Sequence, residues 1–351
     1  MRKVGSTIPG VRGPRQEAKS ATKPPVVATG GGRLGQLLRR ALPMAIATGA
    51  LVGLVLVVNP RALGQALSRF NPIAIPVVVV LGVSWFLLQG VRWHVLLRAA
   101  GAGLRAVDSV MLNMAGQIIT AILPLGDLTR ALFATEASGL AFGAAAATVT
   151  VQELTFILFL VLLATPGMLA LHVGIGIVCA VIVGVITIFA ILTVPPLFKL
   201  VRGATARLRL PHGLLAQVDE LQQETVGLLR RTDTLGFSLL DLARALVGAT
   251  MLWLILQVLE PGAVGWFKAA FVVAVAYVGG ALSFLPGGTG ASDASVVGLL
   301  VLLGLDPGTA AAGALLQRAV FTGLAVGLGL TAYLVERRRF HLGGLLAQRP
   351  G

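Results

Sequence analysis

Apolar residues in this chain come in continuous runs. Eight long ones stand out, at about 41–58, 73–91, 107–123, 141–164, 170–194, 237–259, 266–285 and 310–335. Most come close to the 20 or so residues that a helix needs to cross a hydrocarbon core of roughly 30 Å. A membrane β-barrel would show short alternating segments instead, so the runs predict helices. Two shorter apolar pieces, 127–138 and 293–304, have 12 residues each. A helix of that length reaches about 18 Å, too little to span.

Between the runs lie the basic residues, and these orient the chain. Nine Lys or Arg precede residue 41, and further clusters fall at 92–106, 195–236 and 337–339. Basic loops stay on the cytoplasmic side. Parity then requires an even number of crossings between them. Pairing 107–123 with 127–138, and 266–285 with 293–304, as re-entrant hairpins satisfies it. The expected fold is therefore an all-α membrane bundle of about six full spans and two broken-helix hairpins, with both termini cytoplasmic in the cell membrane. The boundaries are a basic tail at 1–40, a transmembrane domain at 41–336 and a second basic tail at 337–351. Within 195–236, Leu214, Val218, Leu221, Thr225 and Leu228 recur at helical spacing. They predict an amphipathic helix, lying on the cytoplasmic membrane surface or packing on loops.

Composition agrees. Hydrophobic residues make up 56% and charged residues 12%, with mean hydropathy +0.90, against about 25% charged in a soluble domain. The net charge of +14 reads as positive-inside topology and attraction to anionic lipid, and nucleic acid is not an expected partner. One cysteine, Cys179, and four scattered histidines offer neither a disulfide nor metal-ligand spacing, so no metal or other cofactor is expected. No secretory signal is read, because the first apolar run is long enough to be a span.

The two hairpin regions repeat one another. The first breaks at Leu123-Pro124-Leu125-Gly126-Asp127, the second at Leu285-Pro286-Gly287-Gly288-Thr289-Gly290, with Asp293 just beyond. Each break leads through a short helix and a small-residue segment into a run carrying Gln152-Glu153 or Gln317-Arg318. The first unit enters from inside and the second from outside, which makes an inverted repeat. Paired interrupted helices of this kind point to a transporter site, because freed backbone groups need protein or a wet cavity around them. Glu153 and Arg318 stand inside apolar runs, where a charge costs roughly 3 kcal/mol, so they require partners. The candidates are each other, Asp127, Arg130 and Asp293. Asn113 and Gln117 add polarity to one face of 107–123, suited to lining a cavity or bonding between helices. Arg92 and Trp93, closing the second run, read as an interfacial anchor.

Several of these stretches together resemble the lysylphosphatidylglycerol synthetase transmembrane-region family, also described as flippase-like domains. They are Gly90-Val91-Arg92-Trp93 with Leu96-Leu97, Leu123 to Asp127 with Arg130-Ala131, Gln152-Glu153, Pro286 through Asp293, and Leu315-Leu316-Gln317-Arg318. The resemblance covers about residues 40–335. Asp127 and Asp293 stand where the family usually has Glu, and Leu154 where a basic residue often follows the acid. The resemblance implies a lipid flippase-like protein, not itself an enzyme. It would move an anionic phospholipid, an aminoacyl-phospholipid or a polyprenyl-linked glycolipid between leaflets. It also implies a stand-alone membrane part, with any lipid synthesis left to a separate enzyme; a homo-oligomer is left open. The rival readings are an intramembrane lipid-modifying enzyme and a structural scaffold.

Overall fold

The computed structural model describes residues 70–120, 127–171, 175–206, 212–283 and 290–340, with scattered positions between 61 and 68. The first run, 41–58, lies outside the described residues. Among those described, a 3-10 turn and twelve helices account for the regular structure, with no strand. The helices are α1 (Ile75–Ala99), α2 (Ala106–Thr120), α3 (Asp127–Ser138), α4 (Phe142–Ala170), α5 (Ile175–Thr193) and α6 (Pro195–Ala206). They continue with α7 (His212–Leu229), α8 (Thr232–Phe237), α9 (Leu239–Leu259), α10 (Trp266–Leu282), α11 (Ala291–Leu302) and α12 (Pro307–Arg339).

Local chemistry places several ends. The 3-10 turn leading into α1 starts at Asn71-Pro72, where the Asn71 carboxamide accepts from Ile73 N. Asp306 caps α12 by accepting from the amides of Gly308 and Thr309, with Pro307 at the first helical position, a pairing suited to a helix start. Gly290 opens α11 at φ 83°, a left-handed conformation that a side chain would disfavour. Four stretches are long and apolar enough to cross a membrane: Pro72–Ala99, Phe142–Ala170, Thr232–Leu259 and Pro307–Glu336. Shorter apolar stretches occur at Ile182–Ile191 in α5, Trp266–Ala281 in α10 and Ala291–Leu302 in α11.

The packing is reciprocal. Short α3 lies against α2 and the following helix α4, and short α11 lies against α10 and the following helix α12. The two units also exchange partners, with α2 on α12 and α10 on α4. Helices α1 and α9 pack on each other and on α4. One apolar cluster joins α1, α4, α9, α10 and α11 through Val78, Phe156, Leu252, Val272 and Leu300. A second joins α1, α2, α3, α4 and α12 through Trp93, Leu112, Phe133, Ala145 and Ala325. Bulky side chains such as Val80, Leu162, Val183 and Leu302 point outward, as expected of surfaces bathed in lipid tails.

One expectation needs correction, and one open alternative is narrowed. The second run does not end at Arg92: α1 continues to Ala99, and Arg92 and Trp93 are fully buried. Trp93 Nε1 donates to Thr148 Oγ1 at 2.9 Å, so neither residue anchors at an interface. The 195–236 stretch forms three helices, of which α7 lays its apolar face on α4. Thr225 and Leu228 are buried there, so this end of the face meets protein.

Candidate functional site: a charged centre between the helices

Arg130, one turn into α3, is wholly buried, and its guanidinium is bound on several sides. Nη1 donates to Asn113 Oδ1 at 3.0 Å and to Gln152 Oε1 at 3.1 Å. Nη2 lies 3.0 Å from both Asp127 Oδ1 and Glu153 Oε1. The side chain has room because α2 carries Gly116 beneath it; a Cβ there would overlap the Arg130 stem. Charge-assisted bonds of this kind are the stronger class of hydrogen bond, and in an apolar bundle their loss leaves a charge uncompensated.

Glu153 is the hub. Its Oε2 accepts from Tyr277 OH of α10 at 2.7 Å, and its Oε1 also lies 3.5 Å from Arg244 Nη1 of α9. Arg244 is held between two aromatic faces, its guanidinium carbon 3.9 Å from the ring centroids of both Trp85 and Phe156, where cation–π attraction supports a desolvated cation. Gln89 of α1 completes the inner ring. Its backbone carbonyl accepts from Gln152 Nε2 at 2.7 Å. Its amide satisfies both cations when the oxygen faces them, at 3.1 Å from Arg244 Nη2 and 3.2 Å from Arg130 Nη1. In the opposite orientation of that amide, its oxygen instead accepts from Gln117 Nε2 at 3.1 Å.

The charged line continues along α9. Asp241, one turn before Arg244, is buried against Arg92, whose Nε donates to Oδ2 at 3.0 Å. Thr155 Oγ1 donates to the same oxygen at 2.6 Å, and Arg92 Nη1 reaches the carbonyl of Thr234 in α8 at 2.9 Å. Acid and base thus alternate from Asp127 through Arg130, Glu153, Arg244 and Asp241 to Arg92, three of each. Exposure is uneven: the Asp127 side chain is 44% exposed and that of Glu153 19%, while that of Arg130 is 0%. The carboxylates stand at the open edge and the guanidinium lies behind them.

A second cluster sits in the other unit. Arg318 of α12 donates from Nε to Asp293 Oδ1 at 2.9 Å and from Nη2 to Oδ2 at 2.9 Å, a two-pronged pair. Asp293 Oδ2 also accepts from the amide of Gly290 at 3.1 Å, so one carboxylate caps α11 and pins α12. Glu153 and Arg318 therefore do not pair with each other. Each joins its own short helix to the long one that follows, with the signs reversed.

Of the residues singled out in the sequence, Asn113, Gln117, Asp127, Arg130, Gln152 and Glu153 come together, as do Gly290, Asp293 and Arg318. Gln317 is half-buried and belongs to neither cluster. Pro124, Gly126, Pro286, Gly287 and Gly288 lie outside the described residues. The sequence reading missed Gln89, Asp241, Arg244 and Tyr277, and misassigned Arg92. Asp241 and Arg244, one turn apart inside the run 237–259, were a signal that could have been followed. Among the described residues no group of three or more His, Cys, Asp or Glu side chains is placed to hold a metal.

An all-helical bundle with spanning helices and a charged interior defines a multi-pass membrane protein. More particularly, the chain belongs to the family of the lysylphosphatidylglycerol synthase TM region, whose model matches residues 41–329. No curated protein matches it.

Proposed function

We propose that this protein is a lipid transporter of the cell membrane that carries headgroups between leaflets, and that it is not itself an enzyme. The observation that carries this reading is the pair of charge clusters, each tying a short helix to the next long one inside an apolar bundle. Desolvated charges are costly in hydrocarbon and persist where they serve a path or a switch. Membership of a lipid-related membrane family supports the same reading.

In this reading the short helices belong to two re-entrant hairpins in an inverted repeat, with basic loops and both termini cytoplasmic. The reciprocal packing of α2 on α12 and α10 on α4 is what such a repeat would give. The substrate is an anionic phospholipid, an aminoacyl-phospholipid or a polyprenyl-linked glycolipid. Its phosphate competes with Asp127 and Glu153 for Arg130, and with Asp293 for Arg318, while its tails stay in lipid. Exchange of partners is the gate: a guanidinium leaves its carboxylate only when another anion takes the place. The guanidinium is then never left without an anion, and the displaced carboxylate falls back on its other partners, Arg244 and Tyr277 for Glu153 and the Gly290 amide for Asp293.

The test is headgroup translocation in liposomes of defined lipid. The double variant Glu153→Gln with Arg318→Gln is expected to abolish it while leaving the purified protein monodisperse. Unchanged flipping by that variant would sink the proposed role of the clusters.

A further inference from the structure

The two carboxylates on Arg130 are not held alike. Glu153 is bound by Arg130 Nη2 at 3.0 Å and by the Tyr277 hydroxyl at 2.7 Å, with Arg244 Nη1 at 3.5 Å. Asp127 has one tie, its Oδ1 3.0 Å from the same Arg130 Nη2. Among the described residues no other donor bonds it. It is also the more open of the two, and so the one that an arriving anion displaces first.

Once displaced, Asp127 has nowhere to turn. Asp293, the acid of the other short helix, keeps the Gly290 amide when Arg318 moves away. The groups facing Asp127 offer no such substitute. Neighbouring α2 presents the uncharged Asn113 and Gln117, and Asn113 is already bound to Arg130. Neighbouring α4 presents Glu153, a like charge sharing one nitrogen with Asp127. Arg244 of α9, the other cation acting on Asp127, is clamped between Trp85 and Phe156 and turned to Glu153. Tyr277 of α10 donates to Glu153. A carboxylate stranded away from bulk water loses its charge by taking a proton. Two acids this close do not both stay ionised once the cation between them turns away.

We propose that Asp127 is a proton-binding site: it takes up one proton as a headgroup phosphate binds Arg130 and returns it as the phosphate leaves. This rests on the lipid reading above and adds the ion that travels with the lipid. The step balances. One phosphodiester anion and one proton from water arrive, the Asp127 carboxylate becomes a neutral acid, and Arg130 stays a cation. The net charge of the centre is unchanged.

Calorimetry on the purified full chain in detergent tests this, with soluble dihexanoyl phosphatidylglycerol as the probe. Repeating the titration in buffers of different ionisation enthalpy counts the protons taken up per lipid bound. For the wild type that number is expected to approach one at its maximum along the pH scale. Affinity should rise there by up to about tenfold for each unit the pH falls, as linkage of one proton to one ligand requires. Asp127→Asn leaves Arg130 paired with Glu153, Asn113 and Gln152, and is expected to bind the probe more tightly at neutral pH, with neither proton uptake nor the pH dependence. Asp127→Glu is expected to restore both. Binding by the wild type without proton uptake, or equal uptake by Asp127→Asn, would overturn the proposal and leave the lipid reading standing. So would loss of binding in Asp127→Asn, because a neutral amide does not compete for Arg130. No binding by monodisperse wild-type protein would overturn both.

Discussion

Arg130 and Arg244 show how a membrane interior holds a cation in two ways. Arg130 is bound by two carboxylates and two carboxamides, in a geometry fitted to a planar fork. Lysine has one compact ammonium in its place and cannot make that set of bonds. Arg130→Lys is therefore expected to slow translocation about tenfold or more, the scale of one or two charge-assisted hydrogen bonds, with little effect on folding yield. Gly116 is as restrictive from the opposite side, because any side chain there displaces the Arg130 stem. Gly116→Val should lose both extraction yield and transport, and Gly116→Ala should be partly active. Arg244 is held mainly by ring faces, so Arg244→Gln is expected to disturb Glu153 without emptying the packing between Trp85 and Phe156. Transport by each variant, measured beside its thermal unfolding midpoint in detergent, separates the two effects.

At the scale of helices, the buried Arg92–Asp241 pair ties α1 to α9 and, through Thr234, to α8. Removing one member strands the other, and Asp241→Leu alone should destabilise by about 3 kcal/mol or more. The double variant Arg92→Met with Asp241→Leu should recover most of that loss, as a buried pair is often replaceable by apolar side chains. A double-variant cycle on unfolding in detergent reads the difference. A second tie joins the far end of α12 to the start of α2, where Arg339 and Arg105 both reach Asp108 at 2.9 Å. The hydrogen bonds from Arg105 hold the Asp108 carboxyl below its ordinary range. A depressed acid stabilises the folded arrangement above the unfolded pKa and stops doing so as pH falls through the folded one. The end of α12 should therefore stay docked at neutral pH and loosen only below the usual carboxylate range. Hydrogen exchange around residues 333–340, corrected for intrinsic rates, would show it.

These helices also show what the sequence could and could not disclose. Hydropathy and Pro-Gly breaks located α3 at 127–138 and α11 to within two residues, because twelve-residue apolar pieces between breaks admit few alternatives. The end of α1 was misjudged for a definite reason. A local window cannot distinguish an arginine leaving the membrane from one paired across it, and the partner of Arg92 lies 149 residues away. Tyr277 and Gln89 were invisible on the same ground, since nothing in their own neighbourhood marks them as partners of Glu153 and Arg130. Asp127, Arg130 and Glu153 were legible because charges inside apolar stretches demand an explanation wherever they occur.

On the scale of the whole molecule, the two clusters mirror each other with their signs exchanged. In the first unit the base Arg130 is on the short helix, beside Asp127, and pairs with the acid Glu153 on the long one; in the second the acid Asp293 is on the short helix and the base Arg318 on the long one. In the proposed mechanism the arriving phosphate stands in for the carboxylate, so each guanidinium moves with an anion beside it. Moving one elementary charge across a membrane potential of 100 mV is worth about 2.3 kcal/mol. A neutral pair carried through the same field does no electrical work, so the protein's own rearrangement should be indifferent to voltage. Any voltage dependence of transport in liposomes clamped with a potassium gradient would then belong to the cargo, and its steepness would count the charges on the headgroup. A flat response with an anionic lipid would mean that a counter-ion travels with it. If the bundle carries lipid as proposed, the reversed order of four side chains would make it an electrically silent carrier and turn the membrane potential into a gauge of its cargo.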